Sequence, residues 1–112
     1  MNIAIDWDDT YTADPKLFDA ITDLFNSSGH TVYCVTARRS SPANRQEVKI
    51  PNTRTIFTGY ASKTWHMNHV EGIQIDIWID DDPVMCAFGN DDVKPKTIKL
   101  AQQRLPGGTR RR

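Results

Sequence analysis

Asn2-Ile3-Ala4-Ile5-Asp6-Trp7-Asp8-Asp9-Thr10 opens with a short apolar run that stops abruptly in acid. Working outward, the same event recurs. Thr31-Val32-Tyr33-Cys34-Val35-Thr36 is rich in β-branched residues and reads as a buried strand. Thr55-Ile56-Phe57-Thr58 closes at Gly59, and Ile75-Asp76-Ile77-Trp78-Ile79 runs straight into Asp80-Asp81-Asp82. Helical signals lie between these runs. Asp14-Pro15 offers an N-cap and a first-turn proline. Leu17, Ile21, Leu24 and Phe25 then recur at helical spacing, with Gly29 as the stop. Residues 40–48 predict a second helix ended before Pro51, and 62–70 a third, stopped by Gly72. Asp82-Pro83 opens a short helix to Phe88, and Thr97-Ile98-Lys99-Leu100 reads as a last edge strand. This alternation predicts an α/β fold, a Rossmann-like three-layer sandwich whose mostly parallel sheet has about five strands with helices on both faces.

A chain of 112 residues supports a single core, placed at 1–105, with 106–112 as a disordered basic tail. Its 38% hydrophobic and 25% charged content is that of an ordinary globular protein. No apolar run is long enough to span a bilayer, and no basic segment followed by an apolar stretch opens the chain, so a soluble cytoplasmic protein without a membrane partner is expected. Zero net charge gives no bulk sign of a nucleic-acid binder. Arg110-Arg111-Arg112 would favour a polyanion, although a solvated end is the simpler reading. Cys34 and Cys86 lie in apolar surroundings and read as buried small hydrophobes in a reducing compartment. Trp7, Phe57, Trp65 and Trp78 are expected to pack in the core. His66 and His69 have no third ligand at suitable spacing and read as surface residues rather than a zinc site.

Ligands of open parallel sheets bind beyond the carboxyl ends of the strands. Here those ends carry Asp6 and Asp8, Thr36, and Asp80 with Asp81. Two carboxylates about 5 Å apart repel by roughly 3 kcal/mol at an effective dielectric near 20. A fold keeps such a cluster when a cation neutralises it, a proton is shared or the chemistry needs it. An incomplete set of hard oxygen ligands suits Mg²⁺, which retains waters and accepts phosphate oxygens. Asp6 and Asp8, one residue apart, also permit a division of labour between a nucleophile and a general acid/base.

In this arrangement the chain resembles the haloacid dehalogenase (HAD) phosphatases. Asp6-Trp7-Asp8-Asp9-Thr10 looks like their first motif, Asp-x-Asp-x-Thr after an apolar strand, and Thr36 matches the second. Lys63 at a helix start matches the third, and Asp80-Asp81 after Ile77-Trp78-Ile79 matches the fourth. The four occur in the family's order across residues 3–82. The resemblance implies that Asp6 is the nucleophile and a Mg²⁺ ligand. It makes Asp8 the general acid/base, with its main-chain carbonyl on the metal. It gives Thr36 and Lys63 to the phosphate, with Lys63 also neutralising the transition state, and Asp80 and Asp81 to the metal shell. Arg38, just past Thr36, is a further candidate for the substrate phosphate.

Residues 11–30 and 37–62 leave no room for the cap domain that many such enzymes carry. By resemblance, a capless member acts on large phosphorylated substrates or borrows closure from another subunit. A nucleic-acid end, a phosphoprotein or a neighbouring protomer would each seal the site. Two other readings stay open: a non-catalytic metal- or partner-binding module of the same fold, and a receiver-type phospho-acceptor domain. The receiver has a different motif order, with its acidic pair first and its lysine after the last strand.

Overall fold

The computed structural model describes residues 1–88. The strand expected at 97–100 and the basic tail at 106–112 lie outside them. Four strands form an all-parallel sheet: β1 (Asn2–Ile5), β2 (Thr31–Thr36), β3 (Arg54–Phe57) and β4 (Ile77–Ile79), in the order β3-β2-β1-β4. The helices are α1 (Pro15–Ser27), α2 (Pro42–Glu47), α3 (Lys63–His66) and α4 (Pro83–Phe88). A short 3₁₀ turn, Tyr11–Ala13, precedes α1, and α3 widens into a π-type turn at Met67–Glu71. Among the described residues no helix is long and apolar enough to cross a membrane.

Local chemistry explains the boundaries. The Asp14 carboxylate accepts from Leu17 N–H at 3.1 Å, capping α1 ahead of Pro15. Ser41 and Ser62 cap α2 and α3 in the same way, through Asn44 and Trp65 N–H. Gly72, at φ 69°, ends the turn after α3 in the left-handed region. Strand β4 is shorter than the sequence run suggests. The Asp76 carboxylate takes Asn2 N–H at 2.7 Å, so a side chain occupies a ladder donor where pairing would otherwise begin.

Side chains alternate across the sheet, and two apolar clusters result. Ile3, Ile5, Val32 and Cys34 pack with Trp7, Tyr11, Val48 and Ile50, bordered by Phe18 and Phe25 of α1. Ala4, Val35 and Ile56 pack with Met67, bordered by Tyr33, Ile73, Ile75 and Trp78. Both cysteines are buried and free, and Trp7 is core, as expected. Two expectations fail. Leu17 and Leu24 are exposed, because α1 is rotated to present Phe18, Thr22 and Phe25 instead. Trp65 is 52% exposed, its ring stacked on His69 on the outer side of α3.

The strand order also places the site. The chain steps outward from β1 to β3, then crosses back to lay β4 on the other side of β1. That reversal leaves a crevice between the carboxyl ends of β1 and β4, where open α/β sheets bind ligands. The Asp6 N–H donates to Ile79 O at 2.9 Å and fixes the two acidic ends side by side.

Candidate active site

Asp6 is the first residue beyond β1 and only 7% exposed. Its Oδ1 accepts from Lys63 Nζ at 2.7 Å, and Lys63 is itself 4% exposed. The crossover puts that lysine there, because α3 starts above the sheet with Lys63 in its first turn. The same ammonium reaches Asp80 Oδ2 at 2.6 Å. The Thr10 hydroxyl lies 3.1 Å from both Asp6 Oδ2 and Asp81 Oδ1, and it accepts from Asp81 N–H at 3.1 Å. Its single proton serves one of those two carboxylates at a time.

Asp6, Asp80 and Asp81 each offer an oxygen, and these atoms lie within 4.8 Å of one another. Three carboxylates less one ammonium leave two negative charges, the complement of a divalent cation, and every donor is a hard oxygen. The protonation balance reflects that surplus. Burial pushes the Asp6 carboxyl up to about 6 against the pull of Lys63. Its hydrogen bond with Asp6 holds Asp81 below the ordinary carboxylate value, so of the two it is Asp6 that takes up a proton first as pH falls. Burial also disfavours the Lys63 charge, but hydrogen bonds and charge from Asp6 and Asp80 outweigh it, and the ammonium is held above its usual value.

These groups line an open recess of about 220 Å³ together with Asp8, Asp9, Asp82, Ala37, Tyr60 and Ala61. Asp8 thus faces the same space as Asp6. Its carboxylate is engaged, however, in a two-pronged ion pair with Arg38, at 3.0 Å to Nε and 2.7 Å to Nη2. Arg38 is held in turn by Glu47 at 2.8 Å and Asn44 at 3.2 Å, both on α2. Arg38 therefore points at an acid of the chain itself. Thr36 is fully buried, and its Oγ1 accepts from Arg38 N–H at 3.3 Å. It supports the loop that carries Arg38 and is not among the residues lining the recess.

No protein family, curated protein or solved structure gives a significant match to the chain. The structure gathers Asp6, Lys63, Asp80 and Asp81 into one contact network, brings Asp8 to the same recess with Arg38 attached, and leaves Thr36 behind it. Both acids of the 80–81 pair take part, Asp80 through Lys63 and Asp81 through Thr10. Sequence reasoning gave Thr10 no task, although it closes the first acidic motif and bridges both acidic strand ends. Tyr60 was missed altogether, because only the turn it occupies brings it to the recess.

Proposed function

We propose that this chain is a Mg²⁺-dependent phosphohydrolase that cleaves phosphate monoesters through a phosphoaspartate on Asp6. One observation carries the reading: a buried carboxylate held by Lys63 and Thr10 opens onto a recess that it shares with a second carboxylate two residues on. Asp6, Asp80 and Asp81, with the Asp8 main-chain carbonyl, would hold the ion. When bound, Mg²⁺ neutralises phosphate charge and aligns the ester for displacement.

The chain's own groups account for the remainder. An Asp6 oxygen bonds to phosphorus as the ester P–O bond breaks, and the leaving oxygen takes a proton from Asp8. Water then adds to phosphorus and gives its proton to Asp8, while the bond to Asp6 breaks and releases inorganic phosphate. Lys63 keeps the nucleophile charged and offsets charge that builds in transit. The substrate phosphate competes with Asp8 for Arg38, and its capture of that guanidinium frees Asp8 for proton transfer.

The proposed whole is a capless three-layer sandwich of about five strands with helices on both faces. Its free buried thiols suit a reducing, cytoplasmic setting. The Asp8–Arg38 ion pair is also the observation that favours a second reading, a metal-binding module without turnover. A Mg²⁺-dependent assay on a generic aryl phosphate separates the two. Wild type should release phosphate, and Asp6→Asn should lower kcat by at least about a thousandfold, the scale of losing a nucleophile. Turnover that survives Asp6→Asn would sink the nucleophile assignment, and Mg²⁺ binding with no turnover of any phosphate ester would leave the binding module.

A further inference from the structure

Thr58 to Ala61 form a tight turn at the edge of the recess, with Ala61 N–H donating to Thr58 O at 3.2 Å. Both central residues have positive φ, 62° at Gly59 and 69° at Tyr60. Glycine, asparagine and aspartate dominate such positions because a Cβ crowds the backbone there. An aromatic residue in this conformation is strained, and the turn holds it by force of hydrogen bonds. Thr58, Gly59 and Tyr60 N–H groups donate to Thr36, Arg38 and Ala37 carbonyls at 2.9, 3.2 and 2.7 Å. The turn is thereby fastened to the carboxyl end of β2.

The strain is not offset by burial of the ring. Tyr60 is 44% exposed and lines the recess. Arg39 lies along the same turn, its Cγ 3.9 Å from where a Cβ on Gly59 would stand. Its guanidinium carbon sits 5.7 Å from the Tyr60 ring centroid. A strained, exposed aromatic backed by a cation at a site's rim is a surface for stacking a planar group. Size points the same way. Pockets that enclose drug-sized ligands run from about 300 Å³ upward, and this recess of about 220 Å³ is smaller. It takes a phosphate ester and leaves the rest of the substrate at the rim, where Tyr60 stands.

We propose that Tyr60, backed by Arg39, is a stacking platform for the base of a nucleoside phosphomonoester whose phosphate sits beside Asp6. This rests on the phosphohydrolase reading for the placement of the phosphate, and it names that site's substrate class. The ligand is a nucleotide, free or at the end of a strand.

Calorimetric titration in Mg²⁺ of the Asp6→Asn protein, which lacks the nucleophile and keeps Asp80 and Asp81 for the ion, tests the platform. AMP should bind at least about ten times more tightly than ribose 5-phosphate, the scale of one stacked base. Tyr60→Gly in the same background should close that gap without lowering the thermal midpoint, since glycine relieves the turn. Tyr60→Phe should keep the gap. Equal affinities for the two probes, binding of neither, or a gap that survives Tyr60→Gly each overturns the platform. A 5′-phosphorylated trinucleotide run beside AMP tells the sources apart. Tighter binding of the trinucleotide supports a strand end, and tighter binding of AMP supports a free nucleotide. Failure of the two proposals is distinguishable: aryl phosphate turnover with no AMP gap removes the platform alone, while an AMP gap in a chain without turnover removes the hydrolase alone.

Discussion

Asp6 is costly to keep charged. Its carboxyl, raised from 3.8 to about 6 by burial, binds a proton more tightly folded than unfolded. The stability it contributes is therefore fully present below pH 3.8 and is lost as pH rises through 6. In chelator-treated protein this group should remove about 3 kcal/mol across that window, at 1.36 kcal/mol per unit. Asp6→Asn should flatten the slope and leave the variant more stable than wild type at neutral pH, as urea unfolding at several pH values would reveal. A wild-type curve that stays flat from pH 4 to 6 would contradict the cause given. Asp81 works in the opposite sense: held low, it contributes stability above its ordinary pKa and loses it as pH falls below. Lys63 has the harsher prediction. Lys63→Met leaves Asp6 and Asp80 without their shared ammonium. Breaking a buried pair in this way costs on the order of 3–5 kcal/mol. Thermal unfolding should register the loss, and the proposed phosphatase activity should disappear with it.

At the scale of elements, α1 is the instructive case. Apolar spacing suggested a face through Leu17, Ile21, Leu24 and Phe25; Phe25 does border the core, but Phe18 and Thr22 turn inward with it while Leu17 and Leu24 stay exposed. Two aromatic rings bury more area than two leucines, and that difference sets the rotation. The rotation also buries Thr22 completely, with no hydrogen-bond partner for its hydroxyl among the described residues. An unsatisfied buried hydroxyl is a net cost. Thr22→Val, close in shape, should stabilise the protein by about 1 kcal/mol, read from the urea midpoint with catalysis unchanged. A lower midpoint would mean that the hydroxyl is satisfied in solution. Helix α2 has a different task, since Asn44 and Glu47 aim Arg38 at Asp8. Cap residues made α2 readable from sequence, but its use as a brace for Arg38 depends on side-chain contacts six to thirty residues apart.

Across the whole molecule, the reversal of strand order concentrates acid in one crevice. The donors come from two widely separated parts of the chain, the carboxyl ends of β1 and β4, so binding there ties those two strands together. A divalent cation that binds only this assembled site should stabilise the fold by mass action. The thermal midpoint should climb with the logarithm of Mg²⁺ concentration above the dissociation constant. Asp80→Asn with Asp81→Asn should abolish the dependence, and a midpoint indifferent to Mg²⁺ in wild type would argue against the proposed ion.

Much of this was legible in the residues. Apolar runs that end in acid mark parallel strands, because a strand buried on both faces must be apolar until it emerges. The same reasoning located Asp6, Asp8, Asp80 and Asp81, whereas Lys63, at a helix start, stood out only through the resemblance in motif order. What the linear chain leaves open is how those charges are shared. The engagement of Asp8 by Arg38, the bridge at Thr10, the retreat of Thr36 from the recess and the exposed ring of Tyr60 all depend on side chains brought together from distant positions. Local propensity and hydrophobic pattern act over a few residues and so can be read in order. Charge pairing acts through space, and only the tertiary structure decides which partner each charge meets.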